Sequence, residues 1–211
     1  MNIRGFFKTT NFHRNYWQKR QIDWNQAYFT PNHSHRDMII ERLRPLYPFR
    51  SVLEVGCAAG ANLYRVKQAF PKSDIGGIDW SADAIETAKH YLPKASVLQV
   101  GEATDVYIGS KGADIVLSDM CYIYLDKRNF RKAIQEAKRI ARVGVLFCEF
   151  HHNNWLMRKL LRITTGYNAY NFRKELKRCG FSDIEFYKLT EKDWPGGNPQ
   201  KDFGWIITAR I

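Results

Sequence analysis

The chain has 211 residues, 45% of them hydrophobic and 14% aromatic. That is enough to bury a sizeable core, and it excludes a disordered or low-complexity protein. The net charge of +12, with 33 Lys and Arg against 21 Asp and Glu, is compatible with an anionic substrate, nucleic acid, a membrane surface or only a solvated basic exterior.

No stretch approaches the roughly 18 apolar residues of a membrane span, and the N-terminal residues lack the apolar run of a signal peptide. The four cysteines, Cys57, Cys121, Cys148 and Cys179, show no C-x-x-C spacing, so free thiols and no metal centre are expected in a soluble cytoplasmic chain. Residues 51–125 carry 6 basic and 9 acidic groups and are the only acidic segment.

The first 30 residues are rich in Trp, Tyr and Phe without a clean period, and they are expected to fold over the open end of a sheet. Ser34 with Asp37 three residues on reads as a helix start leading to Met38, Ile39 and Leu43. "SVLEV" (51–55) is a short buried strand, and after Gly60 the residues Leu63, Val66, Ala69 and Phe70 fall at helical spacing. "IGGID" (75–79) is the next strand, followed by a helix capped by Ser81 and running to about Tyr91. "SVLQV" (96–100) and "ADIVLS" (113–118) are further strands. Phe130, Ala133, Ile134, Ala137, Ile140 and Ala141 form one apolar helix face before a fifth strand, "VGVLFCEF" (143–150). A short basic amphipathic helix over 154–163 reads as a lid or docking face, with a membrane contact disfavoured. A further helix ends at Cys179 with Gly180 past its end. Two last strands, 183–189 and 203–211, have no helical run between them and are antiparallel neighbours, joined by the turn-rich stretch 193–202, which could rim a pocket but reads first as a simple hairpin connection.

This alternation predicts an α/β, three-layer, doubly wound and mostly parallel sheet with helices on both faces. Its ligand would sit beyond the carboxyl ends of the strands. One domain is expected over 1–211: an N-terminal cap and helix (1–48), a ligand-binding core (49–150), and a lid segment, helix and antiparallel strands (151–211).

In "LEVGCAAGANL" (53–63) a strand-end carboxylate, Glu54, precedes Gly56 and Gly60, with small residues between them. A dinucleotide fingerprint would need glycine where Ala58 stands. Glu54, Asp79 and Glu102, all at strand ends, would repel a pyrophosphate and suit a ligand with a cationic end, a ribose and an adenine. Asp79, 23 residues after Gly56, is placed to accept both ribose hydroxyls.

Residues 50 to about 150 resemble a class I S-adenosylmethionine-dependent methyltransferase. "LEVGCAAGANL" is similar to the first family motif, with Glu54, Gly56 and Gly60 matching and Ala58 departing from it. "GGIDWSADAIETAKHYL" resembles the second, with Asp79 as ribose ligand and Trp80 against the adenine. "GEA" (101–103) resembles the segment whose acidic residue, here Glu102, reaches the adenine amino group. "ADIVLSDMCYIYL" resembles the fourth strand and the loop beyond it. The resemblance implies S-adenosylmethionine as cofactor and strand order 3-2-1-4-5-7-6 with the last strand antiparallel. The cofactor contacts it implies are Glu54, Gly56, Cys57, Ala58, Gly60, Asn62, Asp79, Trp80, Glu102, Ala103, Ser118, Asp119 and Met120.

Methyl transfer needs alignment and exclusion of water more than acid–base work. A phenol or alcohol acceptor would add a base, for which Tyr122, His151 and His152 are candidates, each equally able to serve as lid packing. The amino-methylating N/D-P-P-Y/F/W motif is replaced by "SDMCY" (118–122), which disfavours nucleobase amines. The expected acceptor is a small molecule methylated at O or N in a lid-covered aromatic pocket. An RNA or ribosome-associated methyltransferase and a cofactor-binding regulator without turnover are the alternatives.

Overall fold

The structure is a computed structural model and describes residues 9–211; the part of the N-terminal cap that falls on residues 1–8 lies outside the described residues. Four consecutive buried residues of β1 (Ser51–Val55) set the centre of the sheet, because a strand covered on both faces reads as a continuous apolar run. β1 pairs in parallel with β2 (Asp74–Asp79) on one side and with β4 (Ala113–Asp119) on the other. β3 (Val97–Val100) adds to β2, and β5 (Ala141–Phe150) adds to β4. β7 (Gly204–Arg210) runs antiparallel to both β5 and β6 (Ser182–Lys188). The seven-stranded order is β3-β2-β1-β4-β5-β7-β6, as the family resemblance implies. The order reverses between β1 and β4, where α/β sheets leave a crevice beyond the strand ends.

Helices α3 (Ser34–Leu43), α4 (Ala61–Ala69) and α5 (Ala82–Tyr91) cover one face, sharing a core with Val52, Ile75, Ile115, Leu117 and Leu146. Helices α6 (Lys127–Ile140) and α8 (Phe172–Arg178) cover the other, against Leu53, Val55, Val116, Val145 and Phe147. Alternate strand residues thus divide between two cores. Ser81 caps α5 by accepting from the backbone N–H of Ala84 at 3.2 Å, as its sequence position predicts. Ser34 does not cap α3: His33 holds the cap position, and the Ser34 hydroxyl donates to the carbonyl of Asp193 at 2.7 Å.

Over the carboxyl ends of the strands lie α1 (Thr10–Lys19) and α2 (Trp24–Tyr28), where the aromatic N-terminal stretch is expected. Trp24 packs on Ala59 and Ala84. The stretch 193–202 is more than a hairpin connection, since it carries a helical turn, α9 (Gln200–Phe203), and folds back toward the same opening. After β5, α7 (Trp155–Thr165) buries only Leu161 and exposes Trp155, Leu156, Met157 and Leu160.

The start of α1 is fastened to the start of α6. Asp126 accepts from the backbone N–H groups of Arg128 and Asn129, while the Thr10 hydroxyl donates to Asp126 Oδ2 at 2.9 Å and accepts from its backbone N–H at 2.7 Å. Loss of such a cap costs about 0.5–2 kcal/mol. Asp126→Ala is therefore expected to lower the unfolding free energy from urea titration by that amount and to open residues 9–20 to limited proteolysis. Unchanged cleavage would show that α1 is held elsewhere.

Candidate functional site

At the switch point the ends of β1, β2 and β4 open into a cavity of about 460 Å³. Strand alternation puts Glu54, Asp79 and Asp119 on the face covered by α3 and α4, the face shared by Val52, Ile75 and Leu117. Asn62, in the first turn of α4, stands between two of these carboxylates. Its Nδ2 donates to Glu54 Oε1 at 2.7 Å and to Asp119 Oδ2 at 3.0 Å. Arg36 donates to Asn62 Oδ1 and lies 3.5 Å from Asp119 Oδ2, which His35 Nε2 approaches to 2.8 Å.

Burial pushes Glu54 up to about 8, with neighbouring Asp119 adding to the rise and Asn62 opposing it. Burial would also raise Asp119, but His35 and Arg36 override it and hold that carboxyl well below the usual range. One oxygen of each carboxylate, Glu54 Oε2 and Asp119 Oδ1, has no hydrogen-bond partner among the described residues. Asp79 is raised by burial and opposed by the backbone N–H groups of Ser81 and Ala58, at 2.9 and 3.0 Å.

The loop backbone serves two ends at once. Gly56 has φ +78°, and a Cβ there would come within 2.6 Å of the Cys121 Cβ, so its bareness serves the turn and the packing of Cys121 as well as the cavity. Gly60, with φ +82°, would strike Leu92 and lies outside the cavity wall, at the cap of α4. Ala58 and Met120 both line the cavity with positive φ, +46° and +49°. Such non-glycine conformations cost about 1–3 kcal/mol each and cluster at ligand sites.

Of the sequence-predicted site residues, Glu54, Gly56, Cys57, Ala58, Asn62, Asp79, Asp119 and Met120 come together in the cavity wall. Trp80, Ala103 and Ser118 do not line it. Trp80 and Ala103 pack with the core under α6, and Ser118 donates to Glu149 at 2.9 Å. Glu102 is also outside the wall, clasped by Arg14 of α1 at 2.7 and 3.0 Å.

The three candidate bases are placed away from the cavity, and alternation explains two of them. Ser118 and Glu149 point to the α6 face, and Glu149 Oε1 accepts from the backbone N–H groups of Cys121 and Tyr122. This turns the Tyr122 ring into the core against Phe130 and Phe147. His151 shares the parity of Glu149 and packs on Phe172, Phe186 and Trp205; burial holds it down to about 4. His152 lies beside Phe203, its Nδ1 accepting from the backbone N–H of Asn154 at 3.0 Å.

The aromatic N-terminal stretch and the loop after β4, expected to cover the crevice, complete the cavity together with residues that the sequence does not single out. Trp17, Trp24, Tyr28, Tyr124 and Tyr167 form its aromatic roof, with Trp17 at 5.7 Å from Tyr28 and 5.4 Å from Tyr124; of these, Tyr167 carried no individual signal. His33, His35, Arg36 and Trp194 form a further wall. The "HSHRD" run (33–37) at a helix start was the available signal for it.

Residues 52–144 match a family model described as a methyltransferase domain. A malonyl-[acyl-carrier protein] O-methyltransferase of Hahella chejuensis is 29% identical over 96 residues, which span 45% of this chain and only 34% of that one. The fold is shared with phosphoethanolamine N-methyltransferase 2 of Haemonchus contortus, at TM-score 0.68 and 15% identity over 94% of this chain and 59% of that one. It is also shared with geranyl diphosphate C-methyltransferase of Streptomyces coelicolor, at TM-score 0.68 and 11% identity over 95% and 97%. Residues 52–144 thus resemble a methyltransferase domain, and the fold is the class I, Rossmann-like fold shared with S-adenosylmethionine-dependent methyltransferases. The residues present fit that cofactor: two carboxylates each with an unpartnered oxygen meet a cationic ligand, and Asp79 is held by backbone N–H groups with lone pairs to spare. No helix among the described residues is long and apolar enough to cross a membrane.

Burial also raises Glu149 to about 8. Glu54 and Glu149 keep a proton in the folded state that the unfolded chain has lost, so their contribution to stability falls as pH rises from about 4.5 to 8. The lowered His33 and His151 act oppositely, but only up to the unfolded histidine value near 6.5. Urea titrations between about pH 7 and 8 are therefore expected to show declining stability. Glu149→Gln, which keeps the acceptor oxygen, should flatten the decline; an unchanged slope would refute the raised Glu149 value.

Proposed function

We propose that the chain is an S-adenosylmethionine-dependent methyltransferase acting on a small-molecule acceptor at O or N, as one functional unit in the cytoplasm. The observation that carries this reading is the cavity itself, with three strand-end carboxylates on its floor and an aromatic roof above. The cofactor supplies an electrophilic methyl group on a sulfonium centre. Asp79 accepts the ribose hydroxyls, while Glu54 and Asp119 meet the amino group; Asp119, held ionised, favours a cationic ligand, whose charge would in turn draw the proton off Glu54. The bare backbone at Gly56 and Ala58 lets the ligand lie close. Trp17, Trp24, Tyr28 and Tyr124 exclude water and hold the acceptor in line, the alignment that makes up most of the catalytic demand. Apolar walls with a few polar groups suit an enclosed small molecule. The names of two solved neighbours, a phosphoethanolamine N-methyltransferase and a geranyl diphosphate C-methyltransferase, support a small-molecule acceptor and differ in the atom methylated.

The net charge of +12 favours a second reading, an RNA acceptor. That reading requires acceptor binding to weaken steeply between about 50 and 200 mM salt. Small-molecule transfer from methyl-labelled cofactor into a metabolite extract should be nearly indifferent to salt. A protein that binds cofactor and labels neither extract nor RNA would be a regulator.

Asp79→Ala is expected to weaken S-adenosylhomocysteine binding at least tenfold by calorimetry, since each lost hydrogen bond to a charged acceptor is worth about 1.5–3 kcal/mol. Unchanged affinity would overturn the ribose assignment.

A further inference from the structure

We propose that His33, backed by His35 and Asp119, is the proton acceptor of this cavity, and that the methyl acceptor therefore enters as a hydroxyl or phenol. The proposal rests on the methyl-transfer reading above and narrows its substrate class. His33 lines the cavity, half-buried, at the start of α3. Its Nδ1 lies 2.6 Å from Nδ1 of His35, a ring only 2% exposed, whose Nε2 lies 2.8 Å from Asp119 Oδ2. The His35 backbone N–H reaches the same His33 nitrogen only at 3.5 Å, so the ring–ring bond governs. Trp194 stacks on His35 at 4.1 Å and stands 5.1 Å from His33, fixing both rings.

Proton counting assigns the tautomers. Asp119 is ionised and can only accept, so His35 Nε2 carries a hydrogen. A single proton must lie between the two facing Nδ1 atoms. With both rings neutral it sits on His33, which leaves His33 Nε2 with a free lone pair. No hydrogen bond among the described residues engages that atom.

Burial, His35 and Arg36 lower the His33 pKa against the opposing Asp119 charge, so the ring is neutral near pH 7 and its Nε2 lone pair is free to accept. The charged groups facing the pair are Arg36 from α3 and Asp119 from β4, with Glu54 from β1 behind Asn62. The Asp193 carboxylate beside Trp194 is turned away to Thr190.

The step then balances. The acceptor O–H proton moves to His33 Nε2, and the proton on His33 Nδ1 passes to His35 Nδ1. The positive charge comes to rest on His35 against Asp119, away from the cavity and its cationic ligand. The oxygen lone pair bonds the transferred methyl, and the electrons of the broken methyl–sulfur bond stay on sulfur. A neutral amine attacks with its own lone pair and needs no such chain, which is why the relay selects O–H. This is the oriented-base arrangement in which a second group fixes the tautomer of the base.

The test is long-range ¹H–¹⁵N NMR of the histidine rings in the full chain with S-adenosylhomocysteine, from pH 5 to 9. His33 is expected as the Nδ1–H tautomer with Nε2 bare. Asp119→Asn, which removes a charge that raises the His33 pKa, should lower the His33 midpoint by at least one pH unit. An Nε2–H tautomer of His33, or a midpoint indifferent to Asp119→Asn, overturns the relay. His33→Asn, which keeps a helix-capping side chain, should hold S-adenosylhomocysteine within twofold of wild-type affinity. It should cut label transfer from methyl-labelled cofactor into a metabolite extract by about 100-fold, the lower end of general-base catalysis. Wild-type transfer by that variant refutes the relay and leaves methyl transfer standing. Failure of the wild-type protein to bind S-adenosylhomocysteine overturns both.

Discussion

Two carboxylates buried side by side at the ends of adjacent strands are the constraint around which this molecule is arranged. Glu54 and Asp119 cannot both be charged in a dry crevice without compensation. The chain answers with Asn62 between them and with His35 and Arg36 brought in from α3. The result is asymmetric, one carboxyl raised to about 8 and the other held ionised. The two groups are thereby prepared for different partners, and each retains an oxygen without one.

That compensation links the floor of the cavity to its roof. Arg36 donates from Nε to the carbonyl of Thr30 at 2.8 Å and also to its hydroxyl, so the guanidinium that balances Asp119 also holds the segment leading out of α2. Arg14 on Glu102 and Thr10 on Asp126 hold α1 at two further points. The three ties cross from the N-terminal segment to β4, the loop after β3, and α6. Trp17, with edge contacts to Tyr28 and Tyr124, then sits where the helix and the sheet loops converge.

The two faces of the sheet have separate employments. Even and odd strand positions fall into different cores, and the acidic strand ends follow the same rule: Glu54, Asp79 and Asp119 on one face, Glu149 with Ser118 on the other. Glu149 organises the turn after β4 by accepting from two backbone N–H groups and the Ser118 hydroxyl. Its work is to shape the loop that carries Met120 and Cys121 past the cavity.

The amino-acid sequence by itself determined the strand and helix succession from α3 to β7, α9 excepted, together with the boundaries of β1, the Ser81 cap and the glycine loop, because these follow from periodicity, capping chemistry and positive φ, which act within a few residues. It also determined that Glu54 and Asp79 end their strands near that loop, and the family resemblance carried the strand order. Only the tertiary structure decided which chemically able residues share the cavity. Tyr122, His151 and His152 are as reactive on paper as His33 and His35, but whether a side chain just past a strand end meets the crevice or the opposite core depends on its parity and on what packs there. Glu102, a ligand contact by family resemblance, is clasped by Arg14, 88 residues away. His33, His35 and Trp194 come from segments more than 150 residues apart and meet because Ser34 bonds the Asp193 carbonyl. Contacts closed over such separations leave no mark in local sequence, since nothing in either segment is periodic with the other.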